Sequence, residues 1–284
     1  AASSTIGPIF PPSIPMVIYA MLSGTSVGAL FIGGIIPGIM IALLLSIYVG
    51  FISIKRNYPR GQSFTRKEFF KFTYKAFPAL LTPVILLYGI YGGVMTPTEA
   101  GAFAAFYALI ISVFFYKTMS AKKIIVALKN TALLTGRVTI MAAAASIMSF
   151  MVAREGVAKE LAVLILSITN DKYLLLFLIN IVFLVLGMFI DTSTLQYVFL
   201  PMVIPVVALL GINLVHFGVV IVLNMMVGLS TPPFGMLLFI TSGISDTSLK
   251  DISREILPMV VIMILLIFVM SYVPALVTFL PSLL

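Results

Sequence analysis

The chain has 284 residues, of which 61% are hydrophobic and 9% are charged, and its mean hydropathy is +1.21. Soluble globular domains carry about 25% charged residues, so this composition excludes a soluble fold and indicates an all-α polytopic membrane protein. The absence of cysteine excludes disulfides and thiolate chemistry. No charged residue occurs in 1–54 or 256–284, and each stretch exceeds the roughly 20 apolar residues that span a bilayer.

The first 54 residues are predicted to form a broken helix followed by a complete membrane-spanning helix. Four prolines interrupt the first apolar stretch, which runs to about Leu22, whereas the next stretch, 27–54, is long enough to cross. The four prolines are Pro8, Pro11, Pro12 and Pro15. The sequence opens abruptly and has no basic leader, so we expect it to be an incomplete chain.

Basic residues set the predicted orientation. Seven lysines and arginines accompany a single acid in 55–75, and four lysines occur without any acid in 117–129. The positive-inside rule places both segments in the cytoplasm. The net charge of +8 therefore indicates topology and not nucleic-acid binding.

Residues 55–75 are predicted to be a cytoplasmic amphipathic linker. Thr65 and Glu68 have the spacing of a capping box, and three lysines recur every four residues beside an aromatic stripe. This pattern predicts a helix on the membrane surface with its lysines toward anionic headgroups. A solvated linker is the alternative.

Three further crossings are predicted at 76–91, 97–116 and 131–153. The second begins at Thr96-Pro97-Thr98-Glu99, where Thr96 fits an N-cap and Glu99 completes a capping box. We therefore interpret Glu99 as a structural cap and not as a proton carrier. The following segment, 156–169, is predicted to lie along the periplasmic interface.

Residues 173–210 are predicted to form a re-entrant helical hairpin. The apolar arms, 173–186 and 195–210, are about 21 to 24 Å long as helices, which is shorter than the bilayer core of about 30 Å. The polar stretch between them contains Asp191. Irregular backbone at that depth is tolerated only where protein or a water-filled cavity covers it. Two tight full crossings are the alternative interpretation.

A second broken helix is predicted at 213–241, interrupted at 228–233, and a final span begins at Ile256. Aligning the chain with itself at an offset of 221 residues brings one glycine and three prolines into register. The pairs are Gly7 with Gly228, Pro11 with Pro232, Pro12 with Pro233, and Pro37 with Pro258.

The repeat predicts that 1–54 is the end of repeat one and that 76–284 is repeat two. Repeat two has five crossings when the hairpin is re-entrant, and an odd number inverts one copy relative to the other. Inverted repeats with broken helices are typical of secondary transporters. An upstream portion with its own hairpin is therefore expected.

Broken helices predict ion sites. The first half of such a helix ends in carbonyl oxygens that suit Na⁺, and the second half begins with N–H groups that suit an anion. One predicted sodium site uses Gly187, Gly228, Thr231 and Phe234, and the other uses Gly7, Phe10 and Pro11. The alternative is that these glycines and prolines only kink packed helices.

Other polar residues are candidates for the substrate or the hairpin tip. Asp191 lies deep in an apolar stretch, so it is either a functional acid or the N-cap of the second arm, and both roles are compatible. Ser4, Ser193 and Thr194 are predicted hydroxyl donors to a substrate carboxylate. His216 is interpreted as interfacial rather than as a proton relay.

Three motifs carry a family resemblance. The stretches 4–15, 92–100 and 228–233 resemble the large membrane subunit of TRAP transporters, the tripartite ATP-independent periplasmic uptake systems (DctM-like, ion transporter superfamily). The resemblance covers the whole chain and departs at the N-terminus, where the opening helices and first hairpin are missing. It also supports the predicted sodium ligands, largely through their carbonyls.

The resemblance implies an elevator-type, sodium-coupled importer of an organic acid in the bacterial inner membrane. It implies a periplasmic binding protein that delivers a dicarboxylate or sugar acid, and a small four-helix membrane subunit as partner. Membrane lipid is the surrounding partner, sodium is the implied ion, and no organic cofactor or nucleic acid is expected. The alternative is a stand-alone sodium- or proton-coupled dicarboxylate carrier of the same superfamily.

Other function classes fit the sequence poorly. An intramembrane enzyme needs a catalytic pair within the bilayer, but Asp191 has no acidic partner in the apolar stretches and His216 has no evident nucleophile. A channel needs a continuous polar pore lining, which the sequence does not provide. The protein is therefore predicted not to be an enzyme.

Overall fold

The computed structural model describes residues 1–59, 65–156, 160 and 171–283. The chain divides into two units, one made of Ala1–Gly50 with Val138–Leu284 and the other of Phe51–Arg137. The described residues are helical and contain no strand, which confirms the all-α prediction. The predicted interfacial segment, 156–169, lies almost entirely outside the described residues.

The chain contains both long helices and short helical pieces. A short 3₁₀ turn at Ala2–Thr5 precedes α1 (Ile14–Ser23), α2 (Val27–Gly33), α3 (Ile35–Lys55), α4 (Arg66–Tyr91), α5 (Pro97–Ile110, extended by a π-turn at Ile111–Phe115) and α6 (Ala121–Arg154). After the undescribed stretch come α7 (Lys172–Gly187), α8 (Thr192–Leu209), α9 (Leu214–Gly228), α10 (Met236–Ser245), α11 (Leu249–Tyr272), α12 (Ala275–Thr278) and a 3₁₀ turn at Pro281–Leu283.

Six helical stretches in the described part of the chain are long and apolar enough to cross a membrane. These are Val27–Lys55, Arg66–Tyr91, Pro97–Phe115, Ala121–Ala144, Thr192–Leu209 and Leu249–Tyr272. The shorter apolar helices α1, α7, α9 and α10 are the pieces that the sequence predicted to be half-helices. The protein is therefore a multi-pass membrane protein.

In the unit Phe51–Arg137, capping boxes begin α4 and α5. Thr65 accepts from the Glu68 N–H while Glu68 accepts from the Thr65 N–H, and Thr96 and Glu99 exchange the same pair of bonds. The structure thus confirms Glu99 as a helix cap. Helix α4 differs from the prediction in one respect, because the expected surface helix and the next crossing form one continuous helix.

In the other unit, the two halves of the predicted repeat fold alike. The first contains the 3₁₀ turn, a non-helical segment at 6–13 (the first break), α1, and then α2 with α3. The second contains α9, a non-helical segment at 229–235 (the second break), α10, and then α11. Both Pro-Pro bonds, Pro11-Pro12 and Pro232-Pro233, are cis. The same backbone interruption is therefore used twice.

Helix α9 ends at the second break after a much shorter run than α11. His216, at the start of α9, has its Nε2 2.8 Å from the Met270 carbonyl oxygen near the end of α11, so the two helices run in opposite directions. Helix α11 then crosses over 24 residues, about 36 Å. Helix α9 ends at Gly228 after only 15 residues, about 22 Å. His216 itself is buried within the protein at this end.

Both arms of the hairpin formed by α7 and α8 pack against α9. Asn224 of α9 donates to Asn180 of α7, and Gly187 at the end of α7 contacts Gly228 at the end of α9, so these helices run in parallel and end together. Helix α8 then returns to Leu209, a few residues before α9 begins. Helix α8 has 18 residues and is itself long enough to cross. The re-entrant hairpin and its alternative, two full crossings, therefore both stay predictions.

We expect Gly34→Ala to destabilise the unit that contains the first break. Gly34 has helical dihedral angles (φ −77°, ψ −15°), so alanine suits its backbone, but a Cβ would clash with the Ile9 carbonyl oxygen and lie 2.8 Å from Met16 Cε. The expected cost is about 1–3 kcal/mol, measured as a lower midpoint of thermal unfolding in detergent. The control is Gly50→Ala on α3, where a Cβ meets nothing within 4 Å. Equal midpoints for the two variants would contradict this contact.

Candidate functional site

The candidate site is where the hairpin tip meets the second break, and two glycines hold it together. A Cβ on Gly228 would lie 2.8 Å from both the Cα and the carbonyl carbon of Gly187, and a Cβ on Gly187 would lie 3.2 Å from the Gly228 Cα. Only glycine allows backbones to approach this closely. The predicted pairing of Gly187 with Gly228 is therefore present in the structure.

Both helices direct their carbonyl ends to this point. Helices α7 and α9 end at Gly187 and Gly228, and a helix C-terminus carries a partial negative charge from its last carbonyls. Within the described part of the chain, the carbonyl oxygens of Gly187 and Phe234 accept no hydrogen bond. Those of Gly228 and Thr231 each accept one, from Thr231 N and Gly235 N. The arrangement offers peptide oxygens to a cation.

The side chains of the second predicted set also lie at this junction. Thr231 is buried and its hydroxyl donates to the Val227 carbonyl oxygen at 2.7 Å, which leaves the hydroxyl oxygen free to accept. The Phe234 ring packs against Phe189 of the hairpin tip, with centroids 5.2 Å apart. The structure thus gathers the four predicted residues at one place.

The first predicted set lies in the first break. The carbonyl oxygens of Gly7, Phe10 and Pro11 accept no hydrogen bond from the residues that the structure describes. The Phe10 ring packs over Gly38 of α3, where a Cβ would lie 3.0 Å from the Phe10 Cδ2. No hairpin in the described residues pairs with this break as α7 and α8 pair with the second one.

Asp191 is the N-cap of α8. Its Oδ1 accepts from Ser193 N at 2.9 Å and Thr194 N at 3.2 Å, and the Thr194 hydroxyl donates to its Oδ2. This confirms the capping role and leaves a functional role of the carboxylate untested. The Ser4 hydroxyl donates to the Ala1 carbonyl oxygen at 2.6 Å. The hydroxyl protons of Thr194 and Ser4 are therefore engaged within the protein. The Ser193 N–H donates to Asp191, whereas its hydroxyl makes no hydrogen bond to any described residue.

Several buried polar residues around the hairpin were not predicted from the sequence. Asn224 donates to the Asn180 carbonyl and side-chain oxygens at 2.9 and 3.0 Å, and Asn180 donates to Ser271 at 2.8 Å, so one hydrogen-bonded chain joins α9, α7 and α11. Thr192 and Gln196 of α8 are also buried. The signal that could have found them was an amide side chain within each apolar stretch, at 180, 196 and 224.

Comparison with known proteins adds independent evidence. Residues 1–276 match the family described as tripartite ATP-independent periplasmic transporter, DctM component. The chain is 40% identical over 283 residues to the sialic acid TRAP transporter large permease protein SiaM of Vibrio cholerae, which covers 100% of this chain and 66% of the relative. It is 37% identical to the sialic acid TRAP transporter permease protein SiaT of Haemophilus influenzae, covering 100% of this chain and 46% of that relative.

A third relative is named for a different substrate. The chain is 35% identical to the C4-dicarboxylate TRAP transporter large permease protein DctM of Vibrio cholerae, covering 99% of this chain and 67% of that relative. The chain thus spans between 46% and 67% of the lengths of these three relatives.

We expect Gly228→Ala to separate the hairpin tip from the second break. Alanine is favoured over glycine within a helix by about 1 kcal/mol, but its Cβ would press on the Gly187 backbone, with a net cost of about 1–3 kcal/mol. The measurement is the midpoint of thermal unfolding. Gly243→Ala is the matched control, because it lies on α10 of the same broken helix and its Cβ would meet nothing within 4 Å. A Gly228→Ala midpoint equal to or above that of the control would show that the tip is not held there.

Substitutions of Asp191 should distinguish its contribution as a helix cap from the contribution of its negative charge. Asparagine caps helices about as well as aspartate, so Asp191→Asn should keep the thermal midpoint, whereas Asp191→Ala should lose about 1 kcal/mol. Asn213→Ala, at the corresponding N-cap of α9, is the reference for losing a cap. A loss in Asp191→Asn as large as in Asp191→Ala would mean that the carboxylate stabilises the tip through its charge.

Proposed function

This chain belongs to the DctM component family of tripartite ATP-independent periplasmic (TRAP) transporters, and we propose that it forms the sodium-coupled core of such an importer. It is an inner-membrane transporter component and not an enzyme. The proposed cargo is a small organic acid anion, because the relatives are named for sialic acid and C4-dicarboxylates.

The proposed partners follow from the same family. A periplasmic binding protein would deliver the anion, and a small four-helix membrane subunit would brace the scaffold while the site moves by an elevator motion. The description of the family as tripartite supports a complex of three proteins. The exposed apolar faces of the chain support contact with lipid and with another membrane subunit.

One observation carries the sodium proposal: two helices end in contact, and the Gly187 and Phe234 carbonyl oxygens at this junction accept no hydrogen bond from the described residues. Sodium is a hard cation and prefers oxygen ligands, and a helix C-terminus favours positive charge. Gly187, Gly228 and Phe234 would provide carbonyl oxygens, and Thr231 would add its hydroxyl oxygen. The free carbonyls of the first break support a second sodium at Gly7, Phe10 and Pro11.

The proposed route for the anion uses the polar groups beside these ions. Bound sodium would offset the negative field of the helix ends, which would allow a carboxylate to approach. Ser193 would donate to it, and Ser4 would do so by exchanging its bond to the Ala1 carbonyl oxygen for one to the carboxylate. Asp191 and Thr194 would hold the tip of the hairpin in place. Binding of the ion would thus precede binding of the substrate.

Uptake by the complete subunit, reconstituted with its partner proteins in proteoliposomes, tests the proposal. We expect radiolabelled sialic acid or succinate to accumulate about tenfold more with an inward sodium gradient than with choline. Accumulation should also require the binding protein. Uptake that is indifferent to sodium would overturn the coupling, and full uptake without the binding protein would favour the stand-alone carrier.

Thr231→Val tests the predicted sodium ligand in the same assay. Valine keeps the shape of threonine but removes the hydroxyl oxygen, so half-maximal uptake should require about 5–10 times more sodium. Thr241→Val is the control, because its hydroxyl bonds only to the Leu237 carbonyl of its own helix. An unchanged sodium requirement in Thr231→Val would remove this residue from the site.

A further inference from the structure

Unpartnered polar atoms collect on one side of the hairpin. In the described part of the chain, four buried side-chain atoms have no hydrogen-bond partner: Thr192 Oγ1, Gln196 Oε1, Gln196 Nε2 and Asn224 Oδ1. Gln196 is completely buried, and Thr192 and Asn224 are 5% and 1% exposed. Buried polar groups are nearly always paired, and an unpaired one costs more where no water can reach it. Their concentration at this point therefore requires an explanation.

Thr192 and Gln196 share the face of α8 that is directed toward α9. They are four residues apart, so they lie on the same face. Two contacts show which helices lie on either side of this face of α8. On one side Phe199 packs against Phe183 of α7, and on the other Tyr197 packs against Ile18 of α1. Helix α9 packs against both α7 and α1, and it also packs against α8. The face of α8 that contains Thr192 and Gln196 lies between these two contacts, so it is directed toward α9.

The three residues also lie at similar depth. Thr192 follows the hairpin tip directly, and Gln196 lies about one turn, roughly 6 Å, farther along α8. Asn224 lies one turn before Gly228, whose backbone contacts the tip at Gly187. Since α8 and α9 are antiparallel, Gln196 and Asn224 fall in the same layer.

The charges near this layer determine whether a cation or an anion would be favoured there. The partially negative carbonyl ends of α7 and α9 lie about one turn from this layer. The Asp191 carboxylate outweighs the partial positive charge at the start of α8. An anion is disfavoured in this layer and a cation is favoured. Among the described residues, no group of three His, Cys, Asp or Glu side chains is placed to hold a metal ion. Neutral oxygens alone suit a monovalent cation better than Ca²⁺ or Mg²⁺, which take carboxylates.

We infer that Thr192, Gln196 and Asn224 form a side-chain site for a dehydrated monovalent cation, distinct from the carbonyl site at Gly187 and Gly228. The cation would take the amide oxygens of Gln196 and Asn224 and the hydroxyl oxygen of Thr192. The inference rests on the proposed function, because a cation bound between the hairpin and the broken helix would couple ion binding to closure of the tip.

The test uses ²²Na⁺ binding and sodium-driven uptake by the complete subunit with its partners. Gln196→Leu and Thr192→Val should each raise the sodium concentration for half-maximal binding and uptake about tenfold or more. Thr241→Val should leave both at the wild-type value. Gln196→Leu should also unfold at the same or a higher temperature than the wild type without sodium, because leucine removes a buried unpaired amide. A purely structural role would instead lower that temperature.

The outcomes separate this site from the proposed function. Wild-type sodium affinity in both Gln196→Leu and Thr192→Val would overturn the site while leaving sodium coupling intact. Loss of one bound ²²Na⁺ per protein in both variants, with anion uptake indifferent to sodium in the wild type, would support the site and overturn the coupling. A wild type that binds no ²²Na⁺ would overturn both.

Discussion

A peptide group surrounded by hydrocarbon must find its hydrogen-bond partner within the protein, and the architecture around the hairpin follows from this constraint. A helix that stops at mid-membrane leaves its last carbonyls unpaired. In this protein α7 and α9 stop at the same depth and cover each other, because Gly187 and Gly228 allow their backbones to touch. The exposed ends are thereby removed from lipid and turned toward a shared interior point. Such a point is electrostatically suited to cations before any side chain is considered.

The same constraint explains why polar side chains in this unit are few and concentrated. Asn180, Asn224 and Ser271 are joined by hydrogen bonds across three helices, whereas Thr192 and Gln196 remain unpaired on the hairpin. A membrane protein that needed only stability would fill these positions with apolar residues. Asn224 belongs to both groups, because its amide nitrogen is paired while its Oδ1 has no partner among the described residues. These unpaired atoms are the basis for the proposed cation site.

Local signals in the sequence predicted much of this structure. The capping boxes at Thr65 and Thr96, the cap at Asp191 and the two proline breaks depend on neighbouring residues, so their spacing was sufficient. The pairing of Gly187 with Gly228 followed from the repeat and the hairpin length. Gln196 was missed because its importance depends on the rotation of α8 against α9, which the sequence does not specify. The continuity of α4 through Pro78 and Pro83 was likewise not predicted, because the change from basic to apolar composition near residue 76 suggested a boundary.

The amide and hydroxyl chain from Asn224 through Asn180 to Ser271 has a mechanical consequence. Sliding α7 or α9 past α11 would break buried hydrogen bonds of 2.8 to 3.0 Å, and an unmade hydrogen bond between buried groups is costly. These bonds thus hold α7, α9 and α11 together as one rigid group. Any hinge that lets this group travel must lie in the connecting segments outside it.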